Sequence, residues 1–469
     1  MTNPLHRQKL LQKKPCSIQQ TPYQRLYGLR ENPFPALALF APGANDPRRD
    51  GTIYDLEFRR QEEKKFFNLF IQPPAGDEPL QLGFVRVDHS AGGRGNGKSV
   101  FLHHIAERIN KQDTQDLFAL AVHVLPDPHK QKRFWQFIYL IFETLANKGL
   151  FSDIDINFRA ALLIRLLSEE QISEVSEIPT QDIRSILLSD DRFEALLKKY
   201  NLTMQAFIEE AERQVKSVAG QTLNEKFLNE FSSAKCSMVQ LWKKWREHGF
   251  APNSYQWRKI GINLFTDGFV PMAIAAGYRR LYLLLDEFEK IYIYQNNRER
   301  DEFLDSLRQY FYERNSAGLR NKYIITILTI HPSIDRYLAT NWQRVGLDHM
   351  APLDPTRMAE CSVELGESTP ENLSRLLTTY IDFFREQDSD SFNPLYPFSD
   401  DALEPAILKA WNYPRGALWY AYAILKKAAE EEIPAPISRS YVDALINAGM
   451  RPLEDEDEII LNLPSLSKD

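Results

Sequence analysis

Residues 92–99 read GGRGNGKS and match the pattern GxxxxGK followed by Ser or Thr at every fixed position. A hydrophobic run predicted as a strand, residues 82–88, precedes the match, and a run predicted as a helix, residues 100–110, follows it. A glycine-rich loop in this place joins a buried strand to a crossover helix, which is the repeating unit of a parallel sheet. The motif therefore predicts an α/β fold with a parallel sheet.

The chemistry of this loop suits a phosphate group. Backbone N–H groups that surround a phosphate require φ values that glycine adopts cheaply, and the following helix directs its positive end at the anion. In such a loop Lys98 supplies a positive charge to the β- and γ-phosphates and Ser99 a hydroxyl to Mg²⁺. The residues expected to hold the nucleotide in this P-loop are Gly92, Gly93, Arg94, Gly95, Asn96, Gly97, Lys98, Ser99 and Val100.

Two acids end a second hydrophobic run. Residues 281–287 read LYLLLDE, which is typical of a parallel strand buried on both faces, and ligands bind at the carboxyl ends of such strands. Asp286 is therefore predicted to hold the hydration shell of Mg²⁺ and Glu287 to polarise the water that attacks the γ-phosphate. An ordinary strand end is the alternative interpretation. The Asp-Glu pair favours ATP hydrolysis over tight GTP switching, and no NKxD-type guanine motif is present.

Polar residues later in the chain complete the predicted site. Thr329, or else His331, ends the strand expected beside the Asp-Glu strand and is predicted to contact the γ-phosphate or the attacking water. Arg344, in preference to Arg336, is predicted to reach the nucleotide of a neighbouring subunit. Arg415 is expected in the first turn of a helix, where an arginine is unfavourable unless an anion compensates it. Strand-end polarity and ordinary surface arginines are the alternatives.

The composition is that of a globular protein. Hydrophobic residues make up 43% and charged residues 26% of the 469, a length that suggests two or three domains. The net charge of −7 argues against a surface that binds polyanions everywhere, although not against a local basic patch. Three scattered cysteines form no zinc pattern and no disulfide framework, which fits the cytoplasm. No run reaches the roughly 20 apolar residues of a membrane span, so no membrane partner is expected.

The predicted elements divide the chain into segments. Residues 151–255, and the chain from about 355 onwards, show helical patterns only, and a further helix is predicted near 54–70. The basic first residues are interpreted as a loosely held arm, which is either a solvated tail or a docking arm. The predicted limits are 1–26 for the arm, 27–150 and 256–354 for the two parts of the α/β domain, 151–255 for an all-helical insertion, 355–450 for a helical lid and 451–469 for an acidic tail.

With these motifs the chain resembles the AAA+ ATPases, near the origin-initiator, ExeA-type and transposition-type branch. In this resemblance residues 92–99 are Walker A and residues 283–287 are Walker B. Thr329 takes the sensor-1 position, and Pro414-Arg415 is sensor 2 in a helical lid.

Two further stretches narrow the resemblance. Residues 28–34, GLRENPF, look like the start of ExeA-type ATPases. Residues 276–289 are similar to part of the ATP-binding proteins of BREX-like phage-defence operons. The insertion 151–255 is larger than these families usually carry, and no winged-helix domain is expected after the lid, which argues against autonomous sequence-specific DNA binding.

The resemblance implies an ATPase that uses ATP and Mg²⁺ and forms a homo-oligomer with nucleotide at the subunit interfaces. The expected function is work on DNA, on an effector protein encoded nearby, or on both, in phage defence or DNA mobility. Two alternatives stay open. One is a slow-turnover, nucleotide-gated scaffold or signalling switch of the STAND type that recruits an effector, and the other is an ATPase that acts on protein alone.

Overall fold

The computed structural model describes residues 20–41, 43–87, 95–111, 118–220, 223–313, 323–331, 334–386, 393–411 and 413–450. Gly92, Gly93 and Arg94, most of the predicted arm and the predicted acidic tail lie outside the described residues. Over the described residues the chain forms two compact units. The helical unit takes its residues from Met1–Arg60, Arg94–Val100 and Gly366–Asp469, and the sheet unit from Gln61–Gly93 and Phe101–Leu365. The domain limits stated from the sequence stay predictions.

A five-stranded parallel sheet forms the centre of the sheet unit. Its strands are β1 (Leu82–Val87), β2 (Ala119–Val124), β3 (Arg280–Leu285), β4 (Ile324–Ile330) and β5 (Ser362–Leu365). They lie in the order β2-β3-β4-β1-β5, and each neighbouring pair is parallel. The predicted α/β fold with a parallel sheet is confirmed.

β5 corrects the prediction that the chain is wholly helical from about residue 355. It has only four residues, which are too few to show a strand pattern in the sequence. Pairing with β1 holds it at the edge of the sheet. A short edge strand of this kind is specified by its partner strand more than by its own residues.

Both faces of the sheet are buried. On β3, Leu281, Leu283 and Leu285 pack into one hydrophobic cluster, while Tyr282 and Leu284 pack into another. Successive side chains of a strand point to opposite faces, so the nearly continuous apolar runs of β3 and β4 follow from burial on both sides. This burial explains why these strands could be predicted from the sequence.

Helices and short turns surround the strands. The helices nearest to the strands in the chain are Arg60–Phe66, Lys98–Asn110, Phe134–Asn147, Val270–Ala275, Phe288–Tyr294, Asn297–Arg308 and Asp335–Arg344. The short turns are π-helical at Phe67–Ile71, Phe265–Phe269 and Gln309–Glu313 and 3₁₀ at Leu347–His349 and Met358–Glu360.

The helix predicted near 54–70 begins only at Arg60. Asp55 accepts a hydrogen bond from the N–H of Glu57 at 2.9 Å, and this local turn competes with helix.

The chain between β2 and β3 forms a succession of helices after Phe134–Asn147. They are Leu150–Leu166, Glu169–Ser176, Thr180–Leu188, Asp190–Lys199, Met204–Ala219, Glu225–Ser233, Met238–Glu247 and Tyr255–Leu264. Glu169–Ser176 and Glu225–Ser233 were not predicted. Ser168 and Asn224 cap them by accepting backbone N–H groups, which is a helix-start signal readable from the sequence.

An aromatic cluster stabilises these helices. The Phe142 ring lies 5.6 Å from the rings of both Trp242 and Trp257, 5.8 Å from Trp245 and 5.4 Å from Phe269. Each such pair contributes about 0.5–1.5 kcal/mol beyond the burial of its area. All five residues are buried and belong to the hydrophobic core.

A buried carboxylate fixes the start of helix Met238–Glu247. Asp155 is 3% exposed and accepts the hydroxyl of Ser237 at 2.6 Å and the N–H groups of Met238 and Val239 at 2.6 and 3.2 Å. Burial nevertheless raises the pKa of Asp155 from its ordinary value near 3.8 to about 6, although these bonds and Arg159 oppose the rise. A raised pKa in the folded state means that this residue favours folding below pH 4, and that the benefit is lost as the pH rises through 6.

Asp155→Asn should therefore flatten the dependence of stability on pH. Between pH 4 and 7.5 the free energy of unfolding of the wild-type chain should fall relative to that of the variant by up to about 3 kcal/mol. Denaturant unfolding of the full chain at several pH values measures this difference. Asp153→Asn, on the same helix but with its side chain 43% exposed, is the matched control. Equal pH profiles for wild type and Asp155→Asn would contradict the assignment.

The helical unit has its own core. Its helices are Pro22–Tyr27, Pro370–Phe384, Glu404–Lys409, Pro414–Glu430 and Arg439–Asn447. Tyr27, Leu29 and Phe34 are buried among the later helices, and the Tyr27 hydroxyl donates to the carbonyl of Ile433 at 2.8 Å. The segment that contains residues 28–34 is thus built into the C-terminal helices.

Local hydrogen bonds set the starts of two helices in this unit. Residues 22–27, within or next to the predicted loose arm, form a helix because Thr21 and Gln24 make a capping box and Pro22 stands in its first turn. Helix Glu404–Lys409 begins after a turn in which the N–H of Ala402 donates to the carbonyl of Ser399. In the part of the chain that the structure describes, no helix has the length and apolar character needed to cross a membrane.

Candidate functional site

The end of the glycine-rich loop has the backbone that the motif predicts. Gly95 and Gly97 both have φ of +82°, in the left-handed region that favours glycine. A Cβ at Gly95 would also lie 2.9 Å from Cβ of Arg415, so a larger residue would be excluded twice. Lys98, Ser99 and Val100 open helix Lys98–Asn110 and are half-buried.

Arg415 lies against this loop within the helical unit. It follows Pro414 in the first turn of helix Pro414–Glu430, and its N–H donates to the carbonyl of Gly95 at 3.2 Å. The expected place of Arg415 in the first turn of a helix agrees with the structure. The role of the side chain in holding a nucleotide stays a prediction.

The predicted acids and Thr329 meet in the sheet unit. β4 lies between β1 and β3, and Leu328 pairs with Leu285, so Thr329 stands beside Asp286 where the two strands end. The Thr329 hydroxyl donates to Oδ1 of Asp286 at 3.0 Å and accepts the N–H of Glu287 at 2.6 Å. That N–H also lies 2.9 Å from Oδ1 of Asp286. The Thr329 hydroxyl is therefore bonded to both acidic residues and fixes their positions.

Asp286 is fully buried at the end of β3. Its own N–H donates to the carbonyl of Val124 at 2.9 Å, which continues the ladder between β2 and β3 by one residue. Burying a carboxylate completely costs free energy unless hydrogen bonds or a cation compensate the lost hydration. Its donor set suits Mg²⁺, which is usually held by one or two carboxylates together with water and substrate phosphates. The described residues contain no group of three or more His, Cys, Asp or Glu arranged to hold a metal ion.

Glu287 has an unusual backbone. Its φ is 51° and its ψ 34°, a left-handed conformation that costs about 1 kcal/mol or more in a residue other than glycine. Its half-buried carboxylate pairs with Lys290 on the next helix, with 2.8 Å between Oε1 and Nζ. A strained backbone of this kind persists only where surrounding contacts hold it. Here the hydrogen bonds from the Glu287 N–H to Asp286 and Thr329 hold it.

His123 was missed by the sequence analysis. It lies on β2 with its side chain 5% exposed, and its Nε2 is 3.5 Å from Oδ2 of Asp286. The available signal was one polar residue in the otherwise apolar run 119–124. That signal could not identify a site residue, because only the pairing of β2 with β3 brings His123 beside Asp286.

The other candidates lie outside this cluster. Arg344, at the end of helix Asp335–Arg344, has its side chain 55% exposed and is paired with Asp301. His331 follows β4 directly and is half-buried. The side chain of Arg336 lies outside the described residues. An exposed arginine at a helix end is compatible with the predicted action on a neighbouring subunit, which stays a prediction.

Thr329→Val should lower the rate of any reaction that depends on the two acids. Valine keeps the shape of threonine but loses the bonds to Asp286 and to the Glu287 N–H, so we expect a fall in kcat on the order of 10-fold for ATP hydrolysis. Steady-state kinetics of the full chain measures the effect. Thr329→Ser keeps the hydroxyl and is the matched control. A wild-type rate in Thr329→Val would remove this residue from the reaction.

No family model matches the chain, and no curated protein matches it. Among solved structures, the chain is similar to the ORC2 protein of Aeropyrum pernix in its ADPNP–ADP complexes, with 11% sequence identity and a TM-score of 0.42. The match covers 92% of this chain and 75% of that one.

Proposed function

We propose that this chain is a P-loop ATPase of the AAA+ type, which binds ATP with Mg²⁺ and hydrolyses it. The observation that carries the proposal is the hydrogen-bonded cluster of Asp286, Glu287 and Thr329 at the carboxyl ends of β3 and β4. β1, which runs into the glycine-rich loop, is the next strand in the same sheet. In a parallel sheet these ends share one edge, which is where α/β proteins bind ligands.

Each residue has a role in this proposal. Lys98, the loop amides and Arg415 bind the phosphates, and the hydroxyl of Ser99 and the carboxylate of Asp286 would hold Mg²⁺. The bound ion would neutralise charge that develops on the phosphate oxygens. Glu287 orients a water and takes its proton as the water oxygen bonds to the γ-phosphorus and the bond to the β-phosphate oxygen breaks. Thr329 holds Asp286 and Glu287 in position relative to each other through its two hydrogen bonds.

The target and the assembly belong to the same proposal. A homo-oligomer would bring the exposed Arg344 of one subunit to the nucleotide of the next, where its charge stabilises the transition state. Hydrolysis would drive work on DNA or on an effector protein, in phage defence or DNA mobility. Particle size with and without a non-hydrolysable ATP analogue tests the assembly, and salt-dependent DNA binding tests the target.

A slow nucleotide-gated switch is the second candidate. The observation in its favour is the ion pair between Glu287 and Lys290, with 2.8 Å between Oε1 and Nζ, because it occupies the carboxylate that would otherwise orient the attacking water. Comparing single-turnover with steady-state rates separates the two candidates. Hydrolysis within minutes favours the ATPase, whereas ATP that stays bound and drives stable assembly favours the switch.

The direct test is phosphate release by the purified full chain with ATP and Mg²⁺, alongside calorimetric titration with ATP. Binding together with phosphate release, both lost on mutation of the loop lysine, is the expected result. A chain that gives no heat with ATP and Mg²⁺ and releases no phosphate would contradict the proposal.

A further inference from the structure

Arg59 is a buried cation in the helical unit that no motif includes. Its residue is 4% exposed, and its guanidinium stacks on the ring of Phe58 at 4.8 Å from the centroid. Taking an ionised guanidinium out of water costs several kcal/mol, so a fold that keeps one in such a place relies on the hydrogen bonds it makes. The planar fork of arginine can serve two acceptors at once.

Two backbone carbonyls accept hydrogen bonds from this guanidinium. Nη2 donates to the carbonyl of Asn96 at 3.3 Å, and Nη1 donates to the carbonyl of Gly366 at 3.1 Å. Asn96 lies inside the glycine-rich loop, and Gly366 is the first residue after β5. The hydrogen bond to Gly366 fixes the direction of the guanidinium. The hydrogen bond to Asn96 then holds one carbonyl of the glycine-rich loop in place.

The peptide group just before it in the loop, between Gly95 and Asn96, is held in a similar way. The carbonyl of Gly95 accepts the N–H of Arg415 at 3.2 Å. Two successive carbonyls of the loop are thus bound by residues of the helical unit, with left-handed glycines at 95 and 97. Alternating backbone conformations of this kind turn successive N–H groups into one concave site for an anion.

Binding a peptide carbonyl also strengthens the N–H of the same peptide group. A cation on the carbonyl oxygen polarises the peptide, so its N–H becomes a better donor. The peptide whose carbonyl belongs to Asn96 has its N–H on Gly97, and the peptide whose carbonyl belongs to Gly95 has its N–H on Asn96. Arg59 therefore acts on the Gly97 N–H, immediately before Lys98.

We propose that Arg59 is a positioning residue for phosphate binding: by holding the carbonyl of Asn96 it orients and polarises the Gly97 N–H towards the phosphates of the nucleotide. This inference rests on the proposed function, since it concerns the same nucleotide site. It adds a residue that lies 33 positions before the motif and would touch no ligand itself.

The test compares three variants of the full chain, Arg59→Met, Arg59→Lys and Arg60→Met. Arg60 is the matched control, because its side chain is 73% exposed and pairs with Glu57. Calorimetric titration with ATP, ADP and adenosine, each with Mg²⁺, gives the affinities, and steady-state hydrolysis gives KM and kcat. Thermal melting without nucleotide reports folding.

Arg59→Met should bind ATP and ADP about 10-fold more weakly, the effect of one charge-assisted hydrogen bond, while Arg60→Met keeps wild-type affinity. KM should rise more than kcat falls, and any weak binding of adenosine should stay unchanged because adenosine has no phosphate. A merely structural role would lower the melting temperature without this selectivity for phosphate. Wild-type affinity for ATP in a folded Arg59→Met would overturn the proposal.

Arg59→Lys decides the question if Arg59→Met does not fold. Lysine keeps the charge but cannot serve both carbonyls with one planar fork. A folded Arg59→Lys with weakened binding of ATP and ADP supports the role, and wild-type affinity overturns it. Failure of the proposed function is distinct, because the wild-type chain and Arg60→Met would then bind no ATP either.

Discussion

Lys98→Ala should abolish measurable ATP turnover. The ammonium group at the start of helix Lys98–Asn110 is expected to neutralise charge on the β- and γ-phosphates. Removing one preorganised group that stabilises the transition state lowers a rate by about 100- to 1000-fold. The affinity for ATP should fall as well, because the same charge acts in the ground state.

Steady-state phosphate release and calorimetry with the full chain measure both effects. Lys111→Ala is the matched control, since Lys111 directly follows the same helix, is exposed and pairs with Glu107. That variant should behave as wild type. Turnover by Lys98→Ala equal to that of Lys111→Ala would mean that the glycine-rich loop binds no nucleotide, and the proposed function would fail with it.

Glu287→Gln should bind ATP normally and fail to hydrolyse it. Glutamine keeps the size of the side chain and the strained backbone but cannot take a proton from water, and a positioned general base contributes about 100- to 10,000-fold to a rate. The backbone N–H of Glu287 donates to the side chains of Asp286 and Thr329, and these bonds persist because the substitution changes only the side chain of residue 287. We therefore expect the loss in kcat without a loss of affinity.

Single-turnover hydrolysis with radiolabelled ATP, beside calorimetric titration, checks this expectation. Glu177→Gln makes the same chemical change at an exposed position after helix Glu169–Ser176 and should leave both values unchanged. Normal turnover by Glu287→Gln would exclude Glu287 as the base. The left-handed conformation at residue 287 would then need another explanation.

The sheet was predictable where burial leaves a pattern in the sequence. β1 and β3 are apolar runs that the sequence analysis found within one or two residues of their ends. β5 was missed because an edge strand of four residues depends on β1 and not on its own composition. The helix expected near 54–70 began late because the Asp55 side chain offers the backbone a local alternative, which a hydrophobic period does not show.

The candidate site was predictable where spacing along the chain carries the chemistry. The glycine-rich loop and the Asp-Glu pair are local patterns, and Thr329 followed from its place at the end of the next strand. His123 and Arg59 were missed because their contacts join residues far apart in sequence, from β2 to Asp286 and from Arg59 to Asn96. A single histidine or arginine gives no sign of such a partner until the fold is known.

The order of the strands has a consequence during synthesis of the protein. β1 lies between β4 and β5, so both of its partners leave the ribosome about 240 or more residues after it. At typical elongation rates that interval lasts roughly 10 to 50 s. Throughout it, nascent β1 has neither of its partner strands, so its backbone edges and its apolar faces stay accessible to other chains and to proteases. Ribosome-bound chains stopped before residue 324 should therefore be sensitive to protease around residues 82–87.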